Sequence, residues 1–332
     1  MKKVKRVLVS FLIFVMGMSL SACTSNGTSV QKGETSPGNE HIKSITAITE
    51  VFGDGQKITA VAMEYDKDID NSKLTQSAFS VSDMTITKVY ANNAAEKASQ
   101  GTSGKYVIIE LSANASTSGP NMGGTPPNDQ SAGGPPAGGP PTGGAPAKAE
   151  LKASVTQAED IVTTDGTKYT ANSNEIVNDK IINLVVDDFK QLEFKDPTTG
   201  DTLKYNLYIP KNYDKNKSYP MVMFIHDSSV VSTETTATLT QGNGAVIWAT
   251  PSEQTKHECF VLAPQYSVTT ANDNSETTKD LDDTVDLISS LESQYSIDKN
   301  RLYSTGQSMG GMSSIWFLKR EQLYLKDKKI II

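Results

Sequence analysis

Apolar positions in the first large part of the chain fall into short runs separated by turn residues. Between about residues 44 and 187, runs such as 58–63 and 106–111 are rich in β-branched side chains, and the Gly-Asp-Gly sequence at 53–55 separates two of the runs. Short β-branched runs of this kind indicate strands joined by tight turns. Because few helical patterns interrupt them, residues 44–187 are predicted to form an all-β sandwich.

The spacing of apolar positions changes at about residue 188. Residues 192–194 and 203–209 alternate between apolar and polar side chains, as half-exposed strands do. The sequence Asp-Pro-Thr-Thr-Gly at 196–200 is typical of a turn, so these two strands are predicted to form a hairpin.

Two continuous apolar runs, 221–225 and 259–263, predict strands that are covered on both faces. Residues 277–295 follow a helical period instead. The apolar side chains that share one face of this helix are Leu281, Val285, Ile288, Leu291 and Tyr295. Strands that alternate with helices predict a mostly parallel sheet with helices on both faces, so residues 188–332 are assigned to an α/β unit.

A basic segment and an apolar run open the chain. The apolar residues 7–20 are too few to cross a membrane comfortably, and they follow four basic residues: Lys2, Lys3, Lys5 and Arg6. This order is typical of a signal peptide, which is predicted over residues 1–22. The run ends in Leu-Ser-Ala before Cys23, which resembles the lipobox of bacterial lipoproteins.

By that resemblance Cys23 becomes the lipidated first residue of an exported protein. The lipid would hold the protein at the extracytoplasmic face of the cell membrane, and the polar residues 23–43 would form a solvated tether. An ordinary signal peptide that happens to precede a cysteine is the alternative.

A segment rich in proline and glycine interrupts the predicted sandwich. Residues 119–146 contain nine glycines and eight prolines, a composition that cannot bury a core. Since strand patterns resume afterwards, residues 117–148 are predicted to be a disordered insertion between two strands. A domain boundary at this point is the alternative.

Charge and cysteine content exclude several functions. The net charge of −7 argues against a nucleic-acid partner, because phosphate binding needs basic patches. With Cys23 lipidated, Cys259 has no partner within the chain, and its apolar neighbours predict a buried structural thiol. No histidine, cysteine and aspartate cluster has the spacing of metal ligands, so no metal and no cofactor are expected.

One short motif points to chemistry. The pattern Gly-x-Ser-x-Gly, extended by one further glycine, occupies the following residues: Gly306, Gln307, Ser308, Met309, Gly310 and Gly311. A short predicted strand precedes the motif, and a helical pattern with Met312, Ile315 and Trp316 on one face follows it. Strand, turn and helix are the context of a nucleophile elbow.

The spacing of the motif has a physical reason. The turn is so sharp that residues two before and two after the serine nearly touch, which requires Gly306 and Gly310 to be small. Ser308 would then be an exposed nucleophile, and the backbone N–H of Met309 would face a developing oxyanion. A glycine-rich turn without chemistry is the alternative.

A second part of the site is predicted at the end of the 221–225 strand. His226 and Asp227 resemble the His-Gly turn that supplies another oxyanion N–H in α/β-hydrolases, with aspartate in place of the usual glycine. The backbone N–H of Asp227 or Ser228 is therefore the predicted second donor. His226 is expected to be structural, His257 to lie on the surface, and His41 to lie in the tether.

Residues 188–325 look like the N-terminal half of an α/β-hydrolase esterase or peptidase of the prolyl-oligopeptidase and feruloyl-esterase-like kind. The segments that carry the resemblance are 207–210, 224–226, 261–265 and 305–311. The sandwich looks like the immunoglobulin-like domain found ahead of some bacterial esterases. The resemblance implies hydrolysis of a small-molecule or polymer-linked ester through an acyl-enzyme on Ser308.

The residues that should activate the serine are missing. In this fold the catalytic acid and histidine follow the serine, yet all three histidines precede Ser308, and only Glu321 and Asp327 are acidic after it. The sequence therefore predicts a C-terminal truncation or frame change near Glu321. The protein is expected to have little activity, and the strand before Ser308 is expected to lack a neighbouring strand on one side. A serine peptidase of the prolyl-oligopeptidase type and a non-enzymatic surface binding module are the alternative functions.

Overall fold

The computed structural model describes residues 40–113, 151–274, 276–324 and 330–331. The predicted signal peptide, Cys23, nearly all of the tether and the proline- and glycine-rich insertion lie outside these residues. Among the helices of the described residues, none has the length and apolar character needed to cross a membrane.

The first part of the chain folds into stacked sheets, as the short apolar runs predict. Its strands are β1 (Ile42–Phe52), β2 (Gly55–Ile69), β3 (Phe79–Val81), β4 (Ile86–Asn92), β5 (Gly104–Leu111), β6 (Ser154–Gln157), β7 (Ile161–Val162), β8 (Lys168–Tyr169), β9 (Asn172–Val177) and β10 (Lys180–Asn183). Five strands form one sheet in the order β10-β1-β2-β5-β4, three form a second in the order β3-β6-β9, and β7 pairs with β8.

Alternation along the strands builds the core of the sandwich. Ile45, Val61 and Ile109 point between the sheets and are completely or almost completely buried. Their neighbours of opposite orientation, such as Ile48 and Ile108, are also buried, in a smaller cluster on the other face of the five-stranded sheet. Both faces of the central strands are therefore covered.

One side chain predicted to lie in the tether belongs to the sandwich instead. The His41 ring stacks on Tyr169 with 3.9 Å between ring centroids, and its Nδ1 lies 3.1 Å from Asp66 Oδ2. The aromatic contact and the carboxylate together fix the residue that precedes β1.

The second part of the chain is a single sheet with helices. Its elements are β11 (Lys190–Lys195), β12 (Thr202–Tyr208), β13 (Tyr219–Ile225), α1 (Ala237–Thr240), α2 (Pro251–Lys256), β14 (Phe260–Gln265), α3 (Asp280–Gln294), β15 (Ile297–Gly306), α4 (Met309–Tyr324) and β16 (Ile330–Ile331). The order in the sheet is β11-β12-β14-β13-β15-β16.

This sheet is mixed, which corrects the prediction of a mostly parallel one. β11, β12 and β14 pair antiparallel, whereas β14, β13, β15 and β16 pair in parallel. The predicted hairpin accounts for the β11–β12 pair, because a short turn can join only antiparallel strands. Asp196 closes that turn by accepting the N–H groups of Thr198 and Thr199, and Gly200 supplies its positive φ of 77°.

Long helices cover only one face of the sheet. α3 and α4 pack there through residues such as Leu281, Leu291 and Phe317. The other face is covered by the short α1, by a 3₁₀ turn at Val246–Ala249 and by Val51 from β1 of the sandwich. Helices therefore lie on both faces of the sheet, as predicted, but those on this second face are short.

The buried face of α4 was predicted only in part, because Met312 and Trp316 pack against the core as expected but Ile315 does not. Ile315 was expected on the buried face but is 52% exposed, whereas Met309, Ser313 and Phe317 are buried. Positions 309, 313 and 317 follow a spacing of four and share one face of the helix. Because serines and glycines lie on and near this face, the pattern of apolar residues did not reveal it. Ser313 and Ser314 satisfy their hydroxyls on the carbonyls of Met309 and Gly310.

The strand before the serine has neighbours on both sides, contrary to the prediction. Leu302 and Tyr303 of β15 pair in parallel with Ile330 and Ile331 of β16. Ile330 and Ile331 thus extend the sheet.

Replacing Ile109 by alanine should destabilise the sandwich strongly. Ile109 is fully buried, so the lost contacts and the residual cavity should cost about 2–5 kcal/mol. The matched variant Ile181→Ala removes the same atoms from a residue that is 43% exposed and should change stability by less than about 0.5 kcal/mol. Thermal unfolding followed by circular dichroism compares the two, and equal midpoints would contradict the placement of the core.

Candidate active site

Two neighbouring parallel strands bring the predicted site residues together. β13 lies between β14 and β15, with Ile225 paired with Gly306 at the carboxyl ends of the strands. The chain therefore passes to one side of β13 and then to the other, and the crevice outside such a reversal is where open α/β sheets bind ligands. Ser308 follows β15, and the 226–228 turn follows β13.

The backbone at Ser308 is strained in the way that a nucleophile elbow requires. Its φ is +50°, and only Asp83 and Val185 share a positive φ among the described residues that are not glycine. The turn is closed by hydrogen bonds from Gly310 N–H to Gln307 O (2.8 Å) and from Gly311 N–H to Ser308 O (2.8 Å). Ser308 itself is exposed at the tip.

The two flanking glycines touch, as the spacing of the motif predicts. A Cβ added to Gly306 would lie 2.4 Å from the carbonyl carbon of Gly310. A Cβ added to Gly310 would lie 2.0 Å from the carbonyl oxygen of Ile225. The Gln307 N–H also donates to that carbonyl at 3.2 Å. Gly310 is thus small because the elbow helix begins directly against the end of β13.

Met309 opens α4, so its N–H belongs to the first turn, where helix N–H groups have no intrahelical partner. The aligned peptide dipoles give this end a partial positive charge, which favours an anion. The Met309 side chain is buried, and its Sδ accepts the Thr270 N–H at 3.3 Å. These contacts fix the start of the helix on which the predicted oxyanion donor lies.

Asp227 stabilises the turn after β13, which explains how it can replace the usual glycine. Its carboxylate caps the 3₁₀ turn Ser228–Val230 by accepting both the N–H and the hydroxyl of Ser229. Its φ of −78° is ordinary, so no glycine is needed there. The backbone N–H groups of Asp227 and Ser228 remain the predicted second donor.

His226 holds this turn and has no nitrogen left for catalysis. It is fully buried, its Nε2 accepts the Tyr266 N–H at 3.0 Å, and Nδ1 therefore carries the proton that it donates to Asp227 O at 2.7 Å. Burial lowers the pKa of the imidazole, which keeps it neutral. The contacts agree with the structural role expected of it.

The remaining histidines lie elsewhere. His41 belongs to the sandwich, and His257 is exposed at the end of α2. Within the part of the chain that the structure describes, no histidine is therefore placed to take a proton from Ser308. The same described residues contain no group of three or more histidine, cysteine, aspartate or glutamate side chains that could hold a metal ion.

Cys259 is buried and unpaired, as its apolar neighbours predict. Burial raises the pKa of its thiol to about 11, so the thiol stays protonated and unreactive at neutral pH.

The polar side chains that support the site from beneath were not predicted from the sequence. Gln265 is 3% exposed at the carboxyl end of β14, and the Thr270 and Ser313 hydroxyls pair at 3.0 Å between the next loop and α4. In the sequence, Gln265 is a polar residue at the end of an otherwise apolar strand. This position indicates a supporting role, because a buried amide must find hydrogen-bond partners.

Two comparisons with known proteins match the two parts of the fold. A family model described as "Esterase Ig-like N-terminal domain" matches residues 44–170. The crystal structure of a thermostable esterase is similar over 82% of this chain and 72% of that protein, with 33% sequence identity and a TM-score of 0.70. That match extends across both parts of the chain.

More distant structures include an esterase and a hydrolase. A CE1 ferulic acid esterase from Anaeromyces mucronatus is 21% identical over 43% of this chain and 55% of its own, with a TM-score of 0.29. The S-formylglutathione hydrolase FrmB from Staphylococcus aureus is 17% identical over 42% and 53%, with a TM-score of 0.32. No curated protein sequence matches the chain.

Replacing Gly310 by alanine should disrupt the elbow, because the added methyl group would overlap the carbonyl of Ile225. Overpacking of this kind costs about 1–3 kcal/mol. Gly311→Ala is the matched control: its Cβ meets nothing closer than 3.8 Å, and alanine favours a helix over glycine by about 1 kcal/mol. Urea unfolding followed by tryptophan fluorescence should show lower stability for Gly310→Ala alone, and equal loss in both variants would contradict the elbow geometry.

Proposed function

This chain belongs to the esterases that carry an immunoglobulin-like N-terminal domain, and on that premise we propose that residues 188–332 are built to hydrolyse carboxylic esters through an acyl-enzyme on Ser308. The similarity supports ester hydrolysis in general. The nucleophile and the route through an acyl-enzyme are proposals that rest on the geometry of the elbow.

The observation that carries the proposal is the positive φ of an exposed serine between two touching glycines. A left-handed conformation costs a residue with a Cβ roughly 1–2 kcal/mol relative to glycine. A turn with no chemistry would be more stable with glycine at position 308. The serine therefore occupies a strained position that suits a nucleophile and has no structural use.

In the proposed reaction, the Ser308 Oγ attacks the carbonyl carbon of the ester, and its proton passes to solvent water. The carbonyl oxygen becomes an oxyanion, and the N–H of Met309 and that of Asp227 or Ser228 stabilise it. Collapse of this intermediate breaks the bond to the alcohol oxygen, which leaves as the alcohol after gaining a proton. Water then cleaves the acyl group from Ser308.

Within the described residues, no histidine is placed to take the proton that Ser308 loses in the first step. A serine hydroxyl is a poor nucleophile without a general base. Loss of the base has cost on the order of 10⁶ in kcat in a serine protease. An oxyanion hole and substrate binding alone retain roughly 10³–10⁴ over water, so slow acylation of Ser308 is expected here.

We also propose the location of the protein from its first residues. The lipobox-like segment before Cys23 supports export and attachment to the membrane through a lipid. The ester substrates would then be small molecules or polymer-linked groups outside the cell.

Incubation with p-nitrophenyl acetate should transfer one acetyl group slowly to Ser308, without a burst of p-nitrophenol. Ser308→Ala should abolish the modification, and Ser293→Ala, which changes an exposed serine on α3, should not. Intact-mass and peptide mass spectrometry measure both the extent and the position. A rapid burst abolished by Ser308→Ala would contradict the missing base, and acetylation at another residue alone would contradict the proposed nucleophile.

A further inference from the structure

Gln265 is a buried amide placed between the strand ends and the loops of the site. It closes β14 after five residues that contribute no polar side chain, and it is 3% exposed. Its contacts differ from those of an ordinary core residue, because each polar atom of the amide binds the backbone of a different segment.

The Oε1 atom of Gln265 accepts the Thr238 N–H at 2.8 Å, at the start of α1. The Nε2 atom donates to Val230 O at 2.9 Å and to Tyr266 O at 3.2 Å, and it lies 3.4 Å from Ser232 O and from His226 Nε2. One side chain thus joins the end of β14, the loop after β13 and the first residues of α1.

The loop that Gln265 holds contains the proposed second oxyanion donor. Ser228–Val230 is a single 3₁₀ turn, so a bond to the carbonyl of Val230 fixes the whole turn. The start of the turn is held by His226, which accepts the N–H of Tyr266. Both supports come from the same end of β14, one on each side of Asp227 and Ser228.

We infer that Gln265 is a positioning residue, which orients the N–H groups of Asp227 and Ser228 toward the oxyanion that forms at Ser308. The inference deepens the proposed function and rests on it. Displacement of such a donor by about 1 Å can cost on the order of 10²-fold in rate.

The position requires both a donor and an acceptor, which only an amide supplies at every pH. In an ionised glutamate, one carboxylate oxygen would still accept the Thr238 N–H, but the other would replace the donor Nε2 and would repel the carbonyls of Val230 and Tyr266. A protonated glutamate regains one O–H donor and keeps an acceptor for Thr238. Gln265→Glu should therefore restore the turn only when acid protonates its carboxyl group.

Gln254 offers a matched control. Its Nε2 donates to Trp248 O at 2.7 Å and to Cys259 O at 3.1 Å, and its Oε1 accepts the Cys259 N–H at 3.3 Å. The chemistry is the same as at Gln265, but this amide lies at the amino end of β14. Gln254→Glu should affect stability without affecting the site.

The test measures the rate at which p-nitrophenyl acetate acetylates Ser308, from about pH 5 to about pH 8, in the wild type, Gln265→Glu, Gln254→Glu and Ser308→Ala. Relative to the wild type at the same pH, Gln265→Glu should be about 10- to 100-fold slower at the alkaline end and should recover toward the acidic end. Gln254→Glu should keep a ratio near one throughout. A normal rate for Gln265→Glu at the alkaline end, or a loss that acid does not reverse, would overturn the inference.

Hydrogen–deuterium exchange supplies a second measurement that does not depend on catalysis. At the alkaline end, peptides covering 226–232 should exchange faster in Gln265→Glu than in the wild type and Gln254→Glu. Unchanged exchange in these peptides would overturn the inference even if acetylation slowed. If Ser308 is never acetylated in the wild type, the proposed function fails, and the exchange result still decides whether Gln265 holds the turn.

Discussion

The contact between Gly310 and the carbonyl of Ile225 is the constraint on which the candidate site depends. It brings the start of α4 against the end of β13, leaving no room for a Cβ at position 310. This contact forces the left-handed backbone at Ser308 and places Met309 beside the turn after β13. The sheet supplies the precision, because β13 and β15 are neighbours in register at Ile225 and Gly306. The proposed nucleophile and both predicted oxyanion donors are thus fixed by one packed junction.

Much of this junction could be predicted from the sequence, because its restrictions are local. A sharp turn requires glycine on both sides of the serine, and a helix after it supplies a free N–H. The topology of the sheet was harder to predict. A single apolar run indicates that a strand is buried but not whether it runs parallel to its neighbour, so the antiparallel β12–β14 pairing was not predicted. The inward face of α4 was predicted only through Met312 and Trp316. The burial of Ser313 escaped prediction, because its hydroxyl is paired with that of Thr270.

The supporting polar residues were predictable only in part. His226 was correctly expected to be structural, whereas Gln265 was noted only within a family-like segment. Its proposed function depends on hydrogen bonds to Thr238 and Val230, which lie 27 and 35 residues before it in the chain. No local sequence pattern connects these residues. The absence of a histidine after Ser308 was visible in the sequence, and the contacts of His226 explain why it is no substitute. The geometry thus supports stabilisation of an oxyanion more strongly than activation of the serine.

The most direct test of this account is a crystal structure of the protein after prolonged incubation with a fluorophosphonate. The account predicts a covalent bond between phosphorus and Ser308 Oγ, with a phosphonyl oxygen about 2.7–3.1 Å from the Met309 N–H nitrogen and from that of Asp227 or Ser228. An unmodified Ser308, or an adduct whose phosphonyl oxygen faces solvent away from both nitrogens, would contradict it.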